Sequence, residues 1–236
     1  MNDLTTLEAI NQGRRTFLKT GALAGGGLLI GFHLPLANRA GAAEAAGKDF
    51  APNAWIRIDA NDTVTLRVAS SEMGQGVYTA IPMLLAEELE CDWARIKVEM
   101  APADKAYTNP LIGQQLTGGS TAVRAFWTPL RQAGAAGREL LIRAAAQTWK
   151  VKDDECRAEN GVVLHKASQR KATYGELAAT AATLAVPTAV FLKEPGEFKL
   201  IGKSTARLDT PLKVNGSAVF GMDVKLPGLL TAVVAR

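Results

Sequence analysis

From residue 55 the chain alternates apolar and polar positions. Trp55-Ile56-Arg57-Ile58 and Val64-Thr65-Leu66-Arg67-Val68 flank Asn61-Asp62, and period-two alternation across a turn-forming pair predicts a hairpin with one face buried. The period then lengthens. Ile81, Leu84, Leu85 and Leu89 recur at helical spacing, predicting a helix over 77–89, and Pro82 suits that helix only if it falls in the first turn. A strand is expected at 96–100, then a loop rich in Pro, Asn, Gly and Gln over 102–120, then a long helical stretch from about Ala122 to Trp149. Pro129 and Gly134 inside that stretch predict a kink or a break. Asn160-Gly161 lies between Cys156-Arg157-Ala158 and Val162-Val163-Leu164-His165 and marks a tight hairpin, because both central residues accept positive φ. Thr173-Tyr174-Gly175-Glu176-Leu177 has the spacing of a capping box at the start of a short helix, with an Ala-rich run over 178–185.

Past Val186 the texture changes to short, Pro- and Gly-punctuated strand candidates: Phe198–Ile201, Ala218–Phe220 and Leu229–Val234. The last is apolar and β-prone, and a buried strand needs neighbours to pair its backbone groups. The chain is therefore expected to be truncated, or completed by another polypeptide. The pattern reads as α+β: a mixed sheet with flanking helices over residues 50–190, and the start of a second domain over 200–236.

Residues 1–43 follow a different logic. Arg14-Arg15-Thr16-Phe17-Leu18-Lys19 precedes a Gly- and Ala-rich apolar run from Gly21 to about Leu36, then the small residues Ala40-Gly41-Ala42. Charged region, apolar region and Ala-x-Ala-like cleavage candidate stand in the order of a secretory signal. Paired arginines followed by Phe-Leu-Lys resemble the twin-arginine type, with Gly13 where Ser or Thr is usual. The run is shorter than the ~20 residues that cross a bilayer and is rich in glycine. Export of an already folded protein to the periplasm is expected, with an uncleaved, membrane-associated signal left open.

Composition narrows the functions. The 236 residues carry a formal charge of +4, and the first 43, with Arg14, Arg15, Lys19 and Arg39 against Asp3 and Glu8, hold half of it. The remainder is too small and too evenly spread for a nucleic-acid footprint. Cys91 and Cys156 have no His or Cys at metal-ligand spacing, so no metal site is assigned; they read as separate buried apolar residues more readily than as a disulfide.

Two glycine junctions are the candidates for chemistry. Met73-Gly74-Gln75-Gly76 lies between a predicted strand and the helix at Val77. Glycines on both sides of an amide let the backbone approach a ligand, and the helix start offers N–H groups to an anion. Leu116-Thr117-Gly118-Gly119-Ser120-Thr121 repeats the arrangement ahead of the second helix, with Ser120 or Thr121 as N-cap if the motif is only structural. Glu72, Glu87 and Glu88 read as solvated or dipole-complementing carboxylates rather than bases. His33 falls in the signal and His165 in a strand, so no catalytic residue is named.

Ser71-Glu72-Met73-Gly74-Gln75-Gly76-Val77, Leu84-Leu85-Ala86-Glu87-Glu88-Leu89 and Thr117-Gly118-Gly119-Ser120 resemble the molybdopterin-binding subunit of the xanthine dehydrogenase and aldehyde oxidase family, in its exported branch similar to isoquinoline 1-oxidoreductase beta subunits. Arg207–Gly216 and Leu226–Leu230 resemble the opening of that family's α/β hammerhead-like domain. The resemblance implies that Gly74, Gln75, Gly76, Gly119, Ser120 and Thr121 contact the pterin and phosphate portions of molybdopterin cytosine dinucleotide. It further implies hydroxylation of an aldehyde or N-heteroaromatic substrate with oxygen from water. Electrons would leave through 2Fe-2S clusters on a separate small subunit, and onward to a cytochrome c. The family's base, a glutamate in a Gly-rich segment towards the C-terminus, matches nothing here, so this chain alone is expected to be inactive. The alternative is an exported anion- or small-ligand-binding protein without redox activity.

Overall fold

The computed structural model describes residues 28–31, 54–187 and 189–235. The signal-like stretch of 1–43 lies outside the described residues, apart from Leu28–Gly31. Two compact units divide the chain, Met1–Thr205 and Ala206–Arg236.

In the first unit the expected hairpin forms. β2 (Ala54–Ile58) and β3 (Val64–Val68) run antiparallel with Ile56 opposite Leu66 and Ile58 opposite Val64. Asp62 turns the chain at φ 65° while the Asn61 side chain accepts the N–H of Thr63 at 3.1 Å, which is how Asx turns favour these residues. β1 (Leu28–Gly31) pairs antiparallel with β2, and β4 (Ile96–Met100) runs parallel to β3, giving a mixed sheet in the order β1-β2-β3-β4. The parallel pair requires a crossover, and α1 (Val77–Leu89) supplies it. Ile56, Ile58, Val64, Leu66 and Val68 share one face and are buried beneath α1 and α2 (Ala122–Trp149).

Two prolines and a glycine depart from expectation. Pro82 is the sixth residue of α1, beyond the first turn, so the helix forgoes the bond that an N–H there would give to the Tyr78 carbonyl; burial of Ile81, Leu84, Leu85 and Leu89 holds it together regardless. The 28-residue α2 continues through Pro129 and Gly134, so of the kink or break expected there the break does not occur. Gly134 is needed for contact instead: a Cβ there would lie 2.4 Å from the Leu85 carbonyl oxygen and 3.0 Å from Glu88 Cβ. The two helices meet backbone to backbone at that point.

Glu87 and Glu88 are buried, at 2% and 0% exposure, not solvated as the sequence suggested. Glu88 accepts from Arg131 Nε at 2.9 Å and pairs with Arg131 Nη2 at 2.7 Å and Arg138 Nη1 at 3.5 Å. Glu87 pairs with Lys193 Nζ at 2.7 Å and accepts the backbone N–H groups of Lys199, Leu200 and Ile201 at 3.1, 2.7 and 2.9 Å. Those donors would have served the strand expected at 198–201; captured by a carboxylate, they form no ladder. Arg131 also lies over the rings of Trp127 and Phe198, at 5.4 and 5.0 Å from their centroids. The segment 191–201 is thus strapped across both helices.

The second sheet is the antiparallel set β5 (Cys156–Glu159), β6 (Val162–His165) and β7 (Arg170–Thr173). Asn160 and Gly161 turn its first hairpin with φ of 50° and 79°, the double positive φ that the pair favours. β7 runs into α3 (Tyr174–Ala181), where Thr173 and Glu176 form the expected reciprocal cap; the helix ends short of the Ala-rich run's limit at 185. The Tyr174 hydroxyl donates to the Leu89 carbonyl at 2.7 Å and Gly161 N–H to the Glu90 carbonyl at 2.8 Å, fastening this sheet to the end of α1. Burial, then the neighbouring Asp92 and Glu90, push the Cys91 thiol up to about 12. Cys91 and Cys156 are both free and buried.

The second unit contains the short helix α4 (Thr210–Val214), preceded by Asp209, which pairs with Arg207 at 3.1 Å and Lys213 at 2.5 Å. The strands expected at 218–220 and 229–234 are not strands. Their backbone N–H groups bond locally instead: Ala218 to Leu212, Phe220 to the Asp223 carboxylate, Leu229 to Leu226. A strand exists only with a ladder neighbour.

Three measurements check this packing. Gly134→Ala should destabilise the chain by about 1–3 kcal/mol through overpacking, read as a lower denaturant midpoint, while Gly196→Ala, with open space around it, should not. Glu88→Ala should cost about 3–5 kcal/mol, because it leaves Arg131 and Arg138 without their buried partner. For Glu87, burial alone would raise the pKa, but Lys193 and the three amides outweigh it and hold it below the usual 4.5. Its contribution is complete above that value and lost as pH falls beneath it, so the amides of Lys199–Ile201 should lose protection, relative to the intrinsic exchange rate at each pH, before those of β3 on acidification.

Candidate functional site

Both glycine junctions lie directly ahead of the helices where the sequence placed them, and a hydrogen bond joins them. Ser71–Gly76 connects β3 to α1, and Gly74 and Gly76 have φ of 104° and 91°, values at which glycine carries no Cβ penalty. A Cβ on either would meet nothing within 4 Å, so the backbone is open there. At the other junction Gly119 has φ 59° and Ser120 φ 51°. Ser120 thus holds a left-handed conformation that costs a non-glycine residue about 1–2 kcal/mol. The Ser71 N–H donates to Thr117 Oγ1 at 2.7 Å, bringing loops 46 residues apart into contact.

The two helix starts differ electrostatically. At α1, one oxygen of Glu72 accepts the N–H of Gly74 at 2.7 Å and of Gly76 at 3.0 Å, and the other that of Tyr78 at 2.9 Å. The N–H groups expected to greet a ligand there are held by the protein's own carboxylate. At α2 no acidic residue lies in the first turn and Thr121 makes no side-chain cap bond, so no carboxylate offsets the helix dipole there, and Ser120 and Arg124 are exposed.

The six sequence-proposed residues therefore have different surroundings. Gly74, Gln75, Gly119 and Ser120 are exposed, and Gly76 is half-buried. Gln75 curls back, its amide nitrogen donating to the Ser71 carbonyl at 2.8 Å and its oxygen accepting from Met73 N–H at 2.5 Å. Thr121 is buried; its hydroxyl donates to the Gly118 carbonyl at 2.9 Å and accepts from Asn109 Nδ2 at 2.8 Å, so it anchors the loop from behind. The sequence pattern assigns no part to Asn109 or to the Ser71–Thr117 bond. Asn109 is buried and takes Leu111 N–H on its oxygen at 3.0 Å, an arrangement that only the fold reveals.

His165 lies in the second sheet, buried, with Nδ1 2.6 Å from Ser168 Oγ and Nε2 3.4 Å from Glu155; it is no part of this surface's bonding. Among the described residues no group of three or more His, Cys, Asp or Glu side chains is placed to hold a metal ion. No helix among them is long and apolar enough to cross a membrane. The joined loops expose Gly74, Gln75, Gly119, Ser120 and Arg124, with the Gln75 amide and the Gly74 and Gly76 N–H groups bonded within the turn.

The sequence profile of the molybdopterin cofactor-binding domain matches residues 9–224. The chain is 39% identical over 218 aligned positions to the beta subunit of isoquinoline 1-oxidoreductase from Brevundimonas diminuta, covering 78% of this chain and 28% of that protein. It is 30% identical over 236 positions to the membrane-bound aldehyde dehydrogenase [pyrroloquinoline-quinone] of Gluconacetobacter polyoxogenes, covering 94% and 29% respectively. To a subunit of nicotinate dehydrogenase from Pseudomonas putida it is 26% identical over 166 positions, covering 70% and 14%. The chain spans less than a third of the length of each of these relatives.

Thr117→Val keeps the shape of residue 117 but removes the acceptor that links the loops. It should cost about 0.5–1.5 kcal/mol and speed exchange of the Ser71 amide selectively, a change that hydrogen-exchange spectroscopy resolves.

Proposed function

Because this chain belongs to the molybdopterin cofactor-binding domain family, we propose that it forms part of an exported molybdenum hydroxylase subunit, of the isoquinoline 1-oxidoreductase beta type, acting on an aldehyde or N-heteroaromatic compound. The observation that carries the proposal is the Ser71–Thr117 bond, which makes one surface of two glycine junctions in a chain with this family's profile. In this reading residues 1–43 are a twin-arginine signal, 50–190 the cofactor-binding region and 200–236 the opening of a hammerhead-like domain. A separate small subunit with 2Fe-2S clusters, and a cytochrome c beyond it, would take the electrons.

Two sets of residues support the reading of a molybdopterin dinucleotide at this surface. Gly119 and Ser120, exposed just ahead of α2, suit a phosphate. Gly74, Gln75 and Gly76 suit an uncharged hydrogen-bonding heterocycle, with the Gln75 amide exchanging its two internal bonds for the ligand. Thr121 acts from behind, holding the loop through Asn109 and Gly118. When bound, the molybdenum centre supplies the two-electron oxidation; this chain's residues bind and orient the cofactor, and none is assigned as the base.

The relative named for pyrroloquinoline quinone gives the test a second positive result to look for. Metal and nucleotide analysis of the full-length gene product from the exported fraction should find molybdenum and, on acid release, cytidine monophosphate. Pyrroloquinoline quinone without molybdenum would replace the cofactor in this proposal. Neither group in well-folded exported protein would overturn the oxidoreductase reading in favour of an anion- or small-ligand-binding protein.

A further inference from the structure

Glu72 has no assigned part in cofactor contact, yet its carboxylate spans the whole Gly-Gln-Gly turn. It accepts from Gly74 and Gly76 on one oxygen and from Tyr78 on the other, at 2.7, 3.0 and 2.9 Å, tying together residues before and after the start of α1. The turn it spans contains two glycines at positive φ, a stretch that otherwise has much conformational freedom to lose when a ligand binds. Charge-assisted bonds to backbone amides are among the stronger single contacts, and a loop set in advance binds without that ordering cost. The same carboxylate places a negative charge on the positive end of the α1 dipole.

We infer that Glu72 is a positioning residue of the cofactor loop, presetting the Gly74–Gly76 turn before any ligand arrives and closing the N-terminus of α1 to other anions. The inference rests on the reading of this loop as a cofactor contact, and the two are tested separately. In the 236-residue chain, Glu72→Ala should speed amide exchange at Gly74, Gly76 and Tyr78 by at least about tenfold, with β3 amides unchanged. Added formate should restore the protection, since a free carboxylate meets the same three donors. Glu72→Gln, isosteric and uncharged, should show a smaller acceleration and no response to formate; it also serves if the alanine variant fails to fold. Unchanged exchange at the three amides, or exchange indifferent to formate in the alanine variant, overturns the preset turn. In the full-length gene product, molybdenum per folded chain should fall in both Glu72 variants, with the folded fraction read by circular dichroism. A wild type without molybdenum overturns the cofactor reading and leaves the exchange result to decide the turn; a loaded wild type with equally loaded variants overturns the positioning role.

Discussion

Two adjacent carboxylates at the end of α1, Glu87 and Glu88, set the terms for the first unit. Carboxylates with almost no exposure need cations or N–H donors to offset the water they lose. Arg131 and Arg138 of α2 answer Glu88, and Lys193 with three consecutive amides answers Glu87. The pairs add little to stability over a well-packed apolar equivalent, but each ties one of the three segments to another. The close approach at Gly134 belongs to the same arrangement, because the carbonyl it admits is that of Leu85, one turn before Glu88.

What the sequence disclosed was local. Asn61-Asp62, Asn160-Gly161 and the Thr173–Glu176 cap are decided by conformational preferences within a few residues, and they formed where expected. The helix periods were equally plain, since an apolar stripe is written directly in spacing. What stayed hidden was decided by partners far along the chain. Glu87 and Glu88 look like surface residues until Arg131 and Lys193 are placed beside them. Phe198–Ile201 has the composition of a strand, but its amides are claimed by a side chain more than a hundred residues earlier. Gly134 signals a break in a helix considered alone and a contact in a helix packed against another.

The surface formed by the two glycine junctions shows the same division. Its glycines were legible because positive φ at a strand-to-helix turn leaves few other choices. Glu72 was visible as a carboxylate near a helix start, but not as the acceptor of three amides, which depends on how the turn folds back. Thr121 was legible as a residue of the motif, while its buried bond to Asn109 was not. Residues that support a surface from behind leave no mark in a motif that records only the surface.

The parallel alignment of β3 with β4 has a consequence beyond the sheet. Two parallel strands deliver the chain to the same rim, so the segments that follow them, Ser71–Gly76 after β3 and the loop ending at Thr121 after β4, begin side by side. An antiparallel pairing would have sent them to opposite rims, with no reach between them. The meeting of the two glycine loops is therefore a property of strand direction, inherited by any side chains the loops carry. Substitution there can change what the rim holds while the rim itself stays in place, which is how open sheets come to carry varied ligands at the carboxyl ends of their strands.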